Sequence, residues 1–310
     1  MLELAVAATR LVQFLAATII FGAPFFLLYA LRDEASPPPL NWSRPLLAVA
    51  AGLAALGAAA ALMAQTAIMT GSAALALDPE SLWAVLSGTQ YGRALGVRLA
   101  VAGLAGLLAW GLRPSRCAWA AIATLGAIML GSFAWTGHGA AQAGMAGLIH
   151  ATADVIHLIA AGVWLGALTV LAILLFTAHR HDATVVFPSL HRALKGFSGL
   201  GSLVVAALVA SGLVNSWFLV GPDHVLDLFR TTYGVLLLIK LAVFGGMLAL
   251  AAANRFLFTP GLGGVLAVGA SPAEEIRALK RSVATETALG IVVLALVSVL
   301  GMLAPPSAQM

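Results

Sequence analysis

The stretch HATADVIHLIAAGVWLGAL, residues 150–168, begins with three ionisable side chains and then becomes apolar. His150, Asp154 and His157 are spaced four and then three residues apart. Residues with these spacings are neighbours on one face of an α-helix. Imidazole nitrogens and carboxylate oxygens are common ligands of metal ions, and imidazole suits copper. The pattern therefore predicts a metal site along this face.

The spacing also limits how one ion can be bound. His150 and His157 lie about 10 Å apart along a helix axis, whereas metal–nitrogen bonds are about 2 Å long. Each histidine is therefore expected to act with Asp154 or with a donor from another segment. Two further donors precede the helix: His138, between two glycines in WTGHGAAQAG, and Met145, whose thioether selects Cu(I). The predicted ligands are His138, Met145, His150, Asp154 and His157, with Met69 as a further candidate, whereas Met129 and Met302 fit apolar filling.

The composition places these residues in a membrane. Of 310 residues, 61% are hydrophobic and 9% are charged, and the mean hydropathy is +1.02, values that exclude an ordinary soluble domain. A helix needs about 20 mostly apolar residues to cross the hydrocarbon. Eight windows qualify: 8–31, 46–69, 91–112, 117–136, 148–176, 198–220, 233–253 and 283–304. The sequence therefore predicts an all-α polytopic membrane protein, and its first helix is too long for a cleavable signal peptide.

Basic residues predict the orientation of these helices. The connections after the first, third, fifth and seventh helices hold eleven of them: Arg32, Arg44, Arg113, Arg116, Arg180, Arg192, Lys195, Arg255, Arg277, Lys280 and Arg281. The opposite loops hold Arg93 and Arg230. Because cytoplasmic loops are enriched in Lys and Arg, both termini are expected to face outward. The net charge of +4 reflects this bias and does not indicate a nucleic-acid partner.

The chain also resembles itself. TQYGRALGVRLAVAG from Thr89 and TTYGVLLLIKLAVFG from Thr231 agree at eight positions, and each follows a helix-start signal that predicts a short helix on the outer surface. The first and fifth helices match more weakly, so that Gln13 corresponds to His157. We therefore predict two tandem four-helix repeats in the same orientation, N-out and C-out. The first repeat covers 1–136, and the second covers 137–310 and carries the histidine motif.

Ionisable residues within the membrane need partners, because a charge at the bilayer centre costs about 2.5–3.5 kcal/mol. Arg10, Arg98, Asp154, His157 and Lys240 are expected in one layer of the outer half. These residues either hold helices together, with Arg10 and Asp154 as the obvious ion pair, or line a binding site.

Several other residues are predicted to be structural. Arg255 is expected to pair with Glu286 on the cytoplasmic side, and Trp164 and Gly166 are expected to serve helix packing. The glycine-rich stretch 261–270 is predicted to be a loop. His179, His181, His191 and His224 are predicted to be solvated loop residues. Cys117 is the one cysteine, so an intrachain disulfide or a cysteine-based metal site is excluded.

Longer segments resemble a known family. The second half, from GFSGLGSLVVAALVASGLVN through TTYGVLLLIKLAVFGGMLALAAANR to LKRSVATETALG, resembles the copper resistance protein D family of bacterial inner-membrane proteins, as do TGHGAA and HLIAAGVWLGAL. The resemblance covers roughly residues 130–300 well and the first repeat loosely. It implies copper homeostasis, with copper moving from periplasm to cytoplasm, and a separate periplasmic copper-binding partner of the copper resistance protein C type.

Three functions follow as hypotheses. The first is copper binding at an extracytoplasmic His/Met/Asp site and movement of the copper ion inward. The alternative is a b-type haem electron-transfer protein, for which His157 lacks a matching histidine on a facing helix. The third is a structural anchor for a periplasmic copper chaperone. A transporter or metal-binding protein fits better than an enzyme, because the sequence offers no nucleotide-binding loop and no nucleophile with its base.

Overall fold

The described part of the chain is all-helical. The structure, a computed structural model, describes residues 2–30, 40, 42–137, 144–177 and 183–308. Its α-helices are α1 (Leu2–Ala30), α2 (Ser43–Thr70), α3 (Pro79–Gly88), α4 (Gln90–Gly111), α5 (Arg116–Ser132), α6 (Gly144–Thr177), α7 (Ala183–Leu219), α8 (Thr232–Ala253), α9 (Thr259–Ala267) and α10 (Ala273–Leu300). Short 3₁₀-helical segments cover Ala73–Leu77, Ala134–Thr136, Pro222–Phe229 and Pro306–Ala308, and a π-helical turn covers Asn254–Phe258.

Eight of the described helices are long and apolar enough to cross a membrane. They are Leu4–Ala30, Ser43–Thr70, Gln90–Gly111, Arg116–Thr136, Gly144–Thr177, Leu190–Leu219, Thr232–Ala267 and Ala273–Leu300. Each overlaps one of the eight predicted windows, so the prediction of an eight-span all-α membrane protein is confirmed. The apolar runs determine these spans because only a helix satisfies every backbone polar group within hydrocarbon.

The prediction of a loop at 261–270 is wrong for most of that stretch. The π-helical turn carries α8 directly into α9, and Leu262 is fully buried there. A Cβ on Gly263 would stand 2.6 Å from Cε1 of His191, so the glycine gives room for this ring. Glycine weakens a helix by about 1 kcal/mol relative to alanine, and these contacts offset that cost.

His191 therefore also differs from its prediction. It lies in α7, where its ring packs against Gly263 and next to the backbone of Thr259, and it is not a solvated loop residue. His224 lies in a 3₁₀-helical segment, and its Nδ1 is 3.0 Å from Oδ2 of Asp227. His179 and His181 lie outside the described residues.

The predicted short helices before α4 and α8 are present. The first is α3, where the backbone N–H of Ser81 donates to Oδ2 of Asp78 at 2.8 Å. This hydrogen bond lowers the pKa of the Asp78 carboxyl, so the N-cap stays ionised at neutral pH. The second is the 3₁₀-helical segment Pro222–Phe229.

The two matched sequence segments begin with the same cap. Thr89 Oγ1 accepts from the N–H of Gly92 at 2.8 Å, and Thr231 Oγ1 accepts from the N–H of Gly234 at 3.1 Å. A Cβ on either glycine would overlap the backbone of the preceding short helix. Thr-x-x-Gly therefore lets each short helix turn tightly into the long one.

Helix α1 lies at the centre of the bundle, and glycines let it approach its neighbours closely. A Cβ on Gly22 would overlap the backbone of Gly162 and Gly166, and a Cβ on Gly126 would meet the backbone of Phe21. Gly162 and Gly166 form a GxxxG pair, the spacing that allows close helix contact in membranes. The predicted packing role of Gly166 is confirmed.

Replacing Gly166 with valine is expected to destabilise the bundle, because the added atoms overlap the Gly22 backbone. Overpacking of this kind costs about 1–3 kcal/mol or more. The thermal unfolding midpoint of detergent-purified protein measures the effect. Gly52→Val is the matched control, since a Cβ on this exposed α2 glycine has no neighbour within 4 Å. Equal midpoints for the two variants would contradict the close crossing.

Candidate functional site

A cavity of about 380 Å³ lies between α1, α6, α7, α8 and α10. It sits towards the end of the bundle where α1, α6 and α8 begin and α7 and α10 finish, which we call the N-terminal end. Most of its wall is aliphatic or aromatic. The polar residues that line it are Arg10, His150, Asp154, His157, Asn215, Ser216, Tyr233 and Lys240.

The three ionisable residues of α6 all line this cavity. The predicted shared face is therefore present, whereas their role as metal ligands stays a prediction. His150 is 2% exposed, and its ring stacks on Phe218 with centroids 4.8 Å apart. Ser307 Oγ donates to the Phe218 carbonyl at 3.0 Å, so the C-terminal segment is bonded to the backbone of the residue on which His150 stacks.

His157 is oriented by α7. Its Nδ1 is 3.0 Å from Ser211 Oγ, and that hydroxyl donates its proton to the carbonyl of Ala207 at 2.5 Å. Because a hydroxyl has one proton to give, the bond to Ser211 requires Nδ1 of His157 to be the donor. Nε2 then carries the lone pair, the usual arrangement at metal-binding histidines, and the ring also interacts with the Leu208 backbone. Gly212 leaves room for the ring, since a Cβ there would stand 3.5 Å from Cε1.

Asp154 faces the segment that leads to His138. A Cβ on Gly137 would stand 3.8 Å from Oδ2 of Asp154, and Gly137 also lines the cavity. His138 itself falls in 138–143, outside the described residues. Asp154 interacts electrostatically with Lys240 and Tyr233 of α8.

The predicted ion pair between Arg10 and Asp154 is wrong. No nitrogen of Arg10 lies within 4.0 Å of the Asp154 carboxylate, although both residues line the cavity. The Arg10 guanidinium lies beside Gly301, where α10 ends, and 5.9 Å from the ring centroid of Phe14. Helix carbonyls at a C-terminus favour a nearby cation. The end of α10 therefore stabilises the Arg10 charge without an ion pair to Asp154.

Two atoms of the cavity wall lack partners. Arg10 Nε and Asn215 Oδ1 are buried and make no hydrogen bond within the described part of the chain. Lys240 makes no ion pair with Asp154 there, although the two interact electrostatically. Because buried polar groups are almost always hydrogen-bonded, such atoms are typical of a space that water or a ligand occupies.

The methionines are arranged differently from the sequence prediction. Met145 is 71% exposed and Met69 is 54% exposed, and neither lines the cavity. Met129 is buried in the apolar core, as expected of filling, and Met302 lies partly exposed at the end of α10. The methionine that does line the cavity is Met247 of α8.

Sequence reasoning missed Met247 because it lies in an apolar run without other polar residues. A signal was present in the spacing. Tyr233, Lys240 and Met247 are seven residues apart, which places them on one stripe of α8, and all three line the cavity. No group of three His, Cys, Asp or Glu side chains in the described ranges is close enough to hold a metal ion.

Arg98 lies behind the cavity wall in a hydrogen-bond network. Nε donates to Ser132 Oγ at 2.9 Å, one terminal nitrogen donates to Gln13 Oε1 at 3.1 Å, and the other donates to the Ser132 carbonyl at 3.1 Å and to Thr136 Oγ1 at 2.8 Å. The guanidinium also lies 3.8 Å from the ring centroid of Phe133. Its charge therefore has neutral acceptors and an aromatic face.

The aromatic rings of Phe133 and Phe14 separate Arg98 from the cavity. They stack with centroids 4.3 Å apart, and both line the cavity, whereas Arg98 does not. Of the five charges predicted in one layer, Arg98 is thus a structural element of the first half. Gln13, the counterpart of His157 in the sequence match, accepts from Arg98 and donates to the Gly57 carbonyl at 3.2 Å.

The predicted ion pair between Arg255 and Glu286 is also wrong. Arg255 donates to Ser202 Oγ on α7. Glu286 is 2% exposed and accepts from Trp164 Nε1 at 2.7 Å and from Asn254 Nδ2 at 2.8 Å. Asn254 begins the π-helical turn, which places its side chain towards α10 and leaves Arg255 on the outside of the bundle.

Comparisons with known proteins identify the family. A model of the copper resistance protein D-like N-terminal domain matches residues 1–148, and the copper resistance protein D model matches 191–300. Copper resistance protein D from Pseudomonas syringae pv. tomato is 34% identical over 301 residues, 96% of each chain. The chain belongs to the copper resistance protein D family. It is therefore a copper-related, multi-pass protein of the inner membrane, where its apolar helices contact the lipid bilayer.

Two further relatives match this chain over shorter regions. The inner membrane protein YebZ of Escherichia coli K12 is 32% identical over 178 residues, 56% of this chain and 55% of that protein. The copper transport protein CutJ of Bacillus subtilis 168 is 35% identical over 107 residues, 34% of this chain and 18% of that protein. No solved structure matches the chain.

Replacing Arg98 with leucine is expected to destabilise the protein, because Gln13, Ser132 and Thr136 lose their shared donor. Each buried group left unsatisfied costs about 1–3 kcal/mol. Chemical unfolding in detergent measures the loss. Arg93→Leu is the control, since Arg93 is exposed and bonds to one carbonyl, that of Ser87. The network has no structural role if the two variants unfold alike.

Proposed function

We propose that this protein binds copper in the cavity at its N-terminal end and moves the ion towards the cytoplasm. The observation that carries the proposal is that His150, Asp154 and His157 line one cavity inside an apolar bundle. Ionisable residues in membrane spans mark ion pathways because they are costly elsewhere. The family supports copper as the ion.

The proposed copper ligands act in sequence along α6. His150 and Asp154 form an outer position, and Asp154 with Nε2 of His157 forms an inner one. The two histidines are about 10 Å apart along the helix, so one ion passes between them and does not bind both. His138 and Met145 are proposed at the entrance, where His138 follows the cavity residue Gly137 in the chain.

The electrostatics of the cavity favour reversible binding. Arg10 and Lys240 contribute two positive charges, and Asp154 contributes one negative charge. A copper ion therefore meets neutral donors and one carboxylate, and it is repelled by the cations. Repulsion in a poorly solvated site is strong, so the ion is bound less tightly than the ligands alone would allow, which suits a transport site.

We further propose that the N-terminal end faces outward and that the halves 1–136 and 137–310 are tandem repeats. The distribution of basic residues supports the orientation. The equivalent caps at Thr89 and Thr231, and the separate family models for the two halves, support the repeat. On this arrangement the second half holds the proposed ligands, and the first half contributes Arg10, Phe14 and Phe133 to the cavity wall.

A periplasmic copper-binding protein of the copper resistance protein C type is the proposed donor of copper. An outward-facing cavity mouth is accessible to such a protein, and the family resemblance supports this partner. Haem b remains the alternative ligand of the same histidines. Among the described residues, however, His191 and His224 pack elsewhere, so neither opposes His150 or His157 across the cavity.

Replacing His150 or His157 with alanine is expected to weaken copper binding at least about tenfold, as the loss of a ligand or its support generally does. Competition with a chromogenic Cu(I) chelator on purified protein measures the affinity. His224→Ala is the matched control, because that histidine pairs with Asp227 away from the cavity. Unchanged affinity in both cavity variants would remove the proposal, and a Soret band in the purified wild type would favour haem.

Replacing Lys240 with leucine is expected to have the opposite effect and strengthen copper binding by on the order of tenfold, because the variant removes a repulsive charge from a largely apolar cavity without adding a ligand. Lys240 is close enough to act electrostatically on both Asp154 and His157. The same chelator competition measures the affinity. Lys280→Leu is the control, since Lys280 lies over Phe176, outside the cavity. Weaker binding in Lys240→Leu would instead make Lys240 a ligand.

A further inference from the structure

A second polar cluster lies beyond the inner end of the cavity. It consists of Trp164 of α6, Asn254 after α8, and Glu286 and Ser282 of α10. Trp164 Nε1 donates to Glu286 Oε1 at 2.7 Å, and Asn254 Nδ2 donates to Oε2 at 2.8 Å. Glu286 is 2% exposed and Ser282 is 6% exposed, so the cluster is enclosed by protein.

Glu286 has donors but no counter-charge in the described part of the chain. Arg255, the nearest cation along the chain from Asn254, bonds to Ser202 instead. The other charged or titratable groups on the elements packed against α10 lie at a distance along their helices. Lys240 of α8 is fourteen residues before Asn254, about 21 Å along the axis. Arg10 of α1 lies beside Gly301, which is fifteen residues after Glu286, about 22 Å.

The remaining neighbours among the described residues do not supply a counter-charge to Glu286 either. On α6, His157 is seven residues before Trp164, about 10 Å along the axis, and Asp154 is one turn further away. Helix α9 contains no ionisable residue. On α10 itself, Lys280 lies over the Phe176 ring, and Arg281, five residues before Glu286, is exposed. A buried carboxyl held by neutral donors, without a cation, is suited to gain and lose a proton, as carboxyls of membrane proton relays do.

The residues around Glu286 can satisfy both protonation states. Asn254 Oδ1 is buried and makes no hydrogen bond among the described residues. While the carboxyl is ionised, Asn254 Nδ2 donates to it. Once the carboxyl is protonated, its O–H needs an acceptor, and a 180° rotation of the Asn254 amide presents Oδ1. Ser282 Oγ, one helical turn before Glu286, is a second buried atom that lacks a partner in the described ranges.

Trp164 connects this carboxyl to the cavity. The indole lines the cavity, while its Nε1 bonds to Glu286 on the other side. A cation at the inner end of the cavity therefore stabilises ionised Glu286 through one intervening side chain. Copper occupancy and protonation of Glu286 oppose each other.

We propose that Glu286 is a proton-binding site that exchanges one proton for the copper ion leaving the cavity. The proposal rests on the proposed function, since it needs copper in the cavity. As copper reaches the inner end, the carboxylic acid releases its proton to the outward-facing cavity that Trp164 lines, and the carboxylate balances the incoming charge. After copper leaves, Glu286 takes up a proton from the cytoplasmic side. No electron is transferred in either step.

The first experiment titrates the carboxyl directly. Infrared difference spectra of purified wild type between low and high pH should show a protonated-carboxyl C=O band that is absent from Glu286→Gln and is retained in Asp154→Asn and in the exposed control Glu274→Gln. This readout needs neither copper nor transport. If the wild type shows no band that Glu286→Gln removes, the proposal is overturned. If Glu286→Gln does not fold, Trp164→Phe replaces it, since loss of the indole donor should shift the titration of the same band.

The second experiment tests the exchange in proteoliposomes loaded with a pH-sensitive dye, with Cu(I) supplied outside. In wild type, copper uptake should be accompanied by outward proton movement. Uptake should increase when the vesicle interior is more acidic than the outside. Glu286→Gln should still bind copper within about twofold of wild type by chelator competition, but its uptake should lose the dependence on the proton gradient. Uptake by wild type without proton movement, or with dependence on a sodium gradient instead, would overturn the exchange. Absence of copper binding in wild type would instead sink the proposed function.

Discussion

Polar groups within hydrocarbon must be enclosed by protein and given partners, since neither lipid nor bulk water is available to bond them there. The bundle meets this constraint in three ways. Arg98 donates four hydrogen bonds and lies over an aromatic face. Glu286 receives two neutral donors. The cavity residues share one space but keep buried atoms that have no hydrogen-bond partner among the described residues, such as Arg10 Nε. The number of hydrogen bonds that each buried polar group makes therefore distinguishes the structural charges from those that are available to a ligand.

This enclosure depends on how closely the helices approach α1. The glycines at the crossing of α1 and α6 bring backbone against backbone. Towards the N-terminal end of the bundle from this contact, Arg10 of α1 lines the same space as His150 and His157 of α6. Helices α7, α8 and α10 then complete the wall. A cavity with five contributing helices is specified by packing over the whole chain, not by the α6 motif alone.

The sequence was sufficient for the spans and for the shared face of α6, because hydrophobic length and helical period are local properties. The sequence did not predict which ionisable side chains contact each other. The predicted pairs Arg10 with Asp154 and Arg255 with Glu286 assumed that opposite charges meet, whereas each of these four groups has other neighbours in the bundle. The helix at 259–267 was missed because its stabilising contacts come from α7, which glycine content does not reveal. Met247 was identifiable from its seven-residue spacing to Lys240, but only once the α8 stripe was known to face a cavity.

The two halves use matched positions for different purposes. Gln13 accepts from Arg98 and donates to a backbone carbonyl, so both ends of its amide are occupied. His157, its counterpart in the sequence match, gives Nδ1 to Ser211 and keeps the Nε2 lone pair. An amide whose donor and acceptor are both used adds rigidity, whereas an imidazole fixed at one nitrogen is held in place for an incoming ligand at the other. The first half thus uses the matched position for its own stability, whereas the second half leaves an oriented imidazole there.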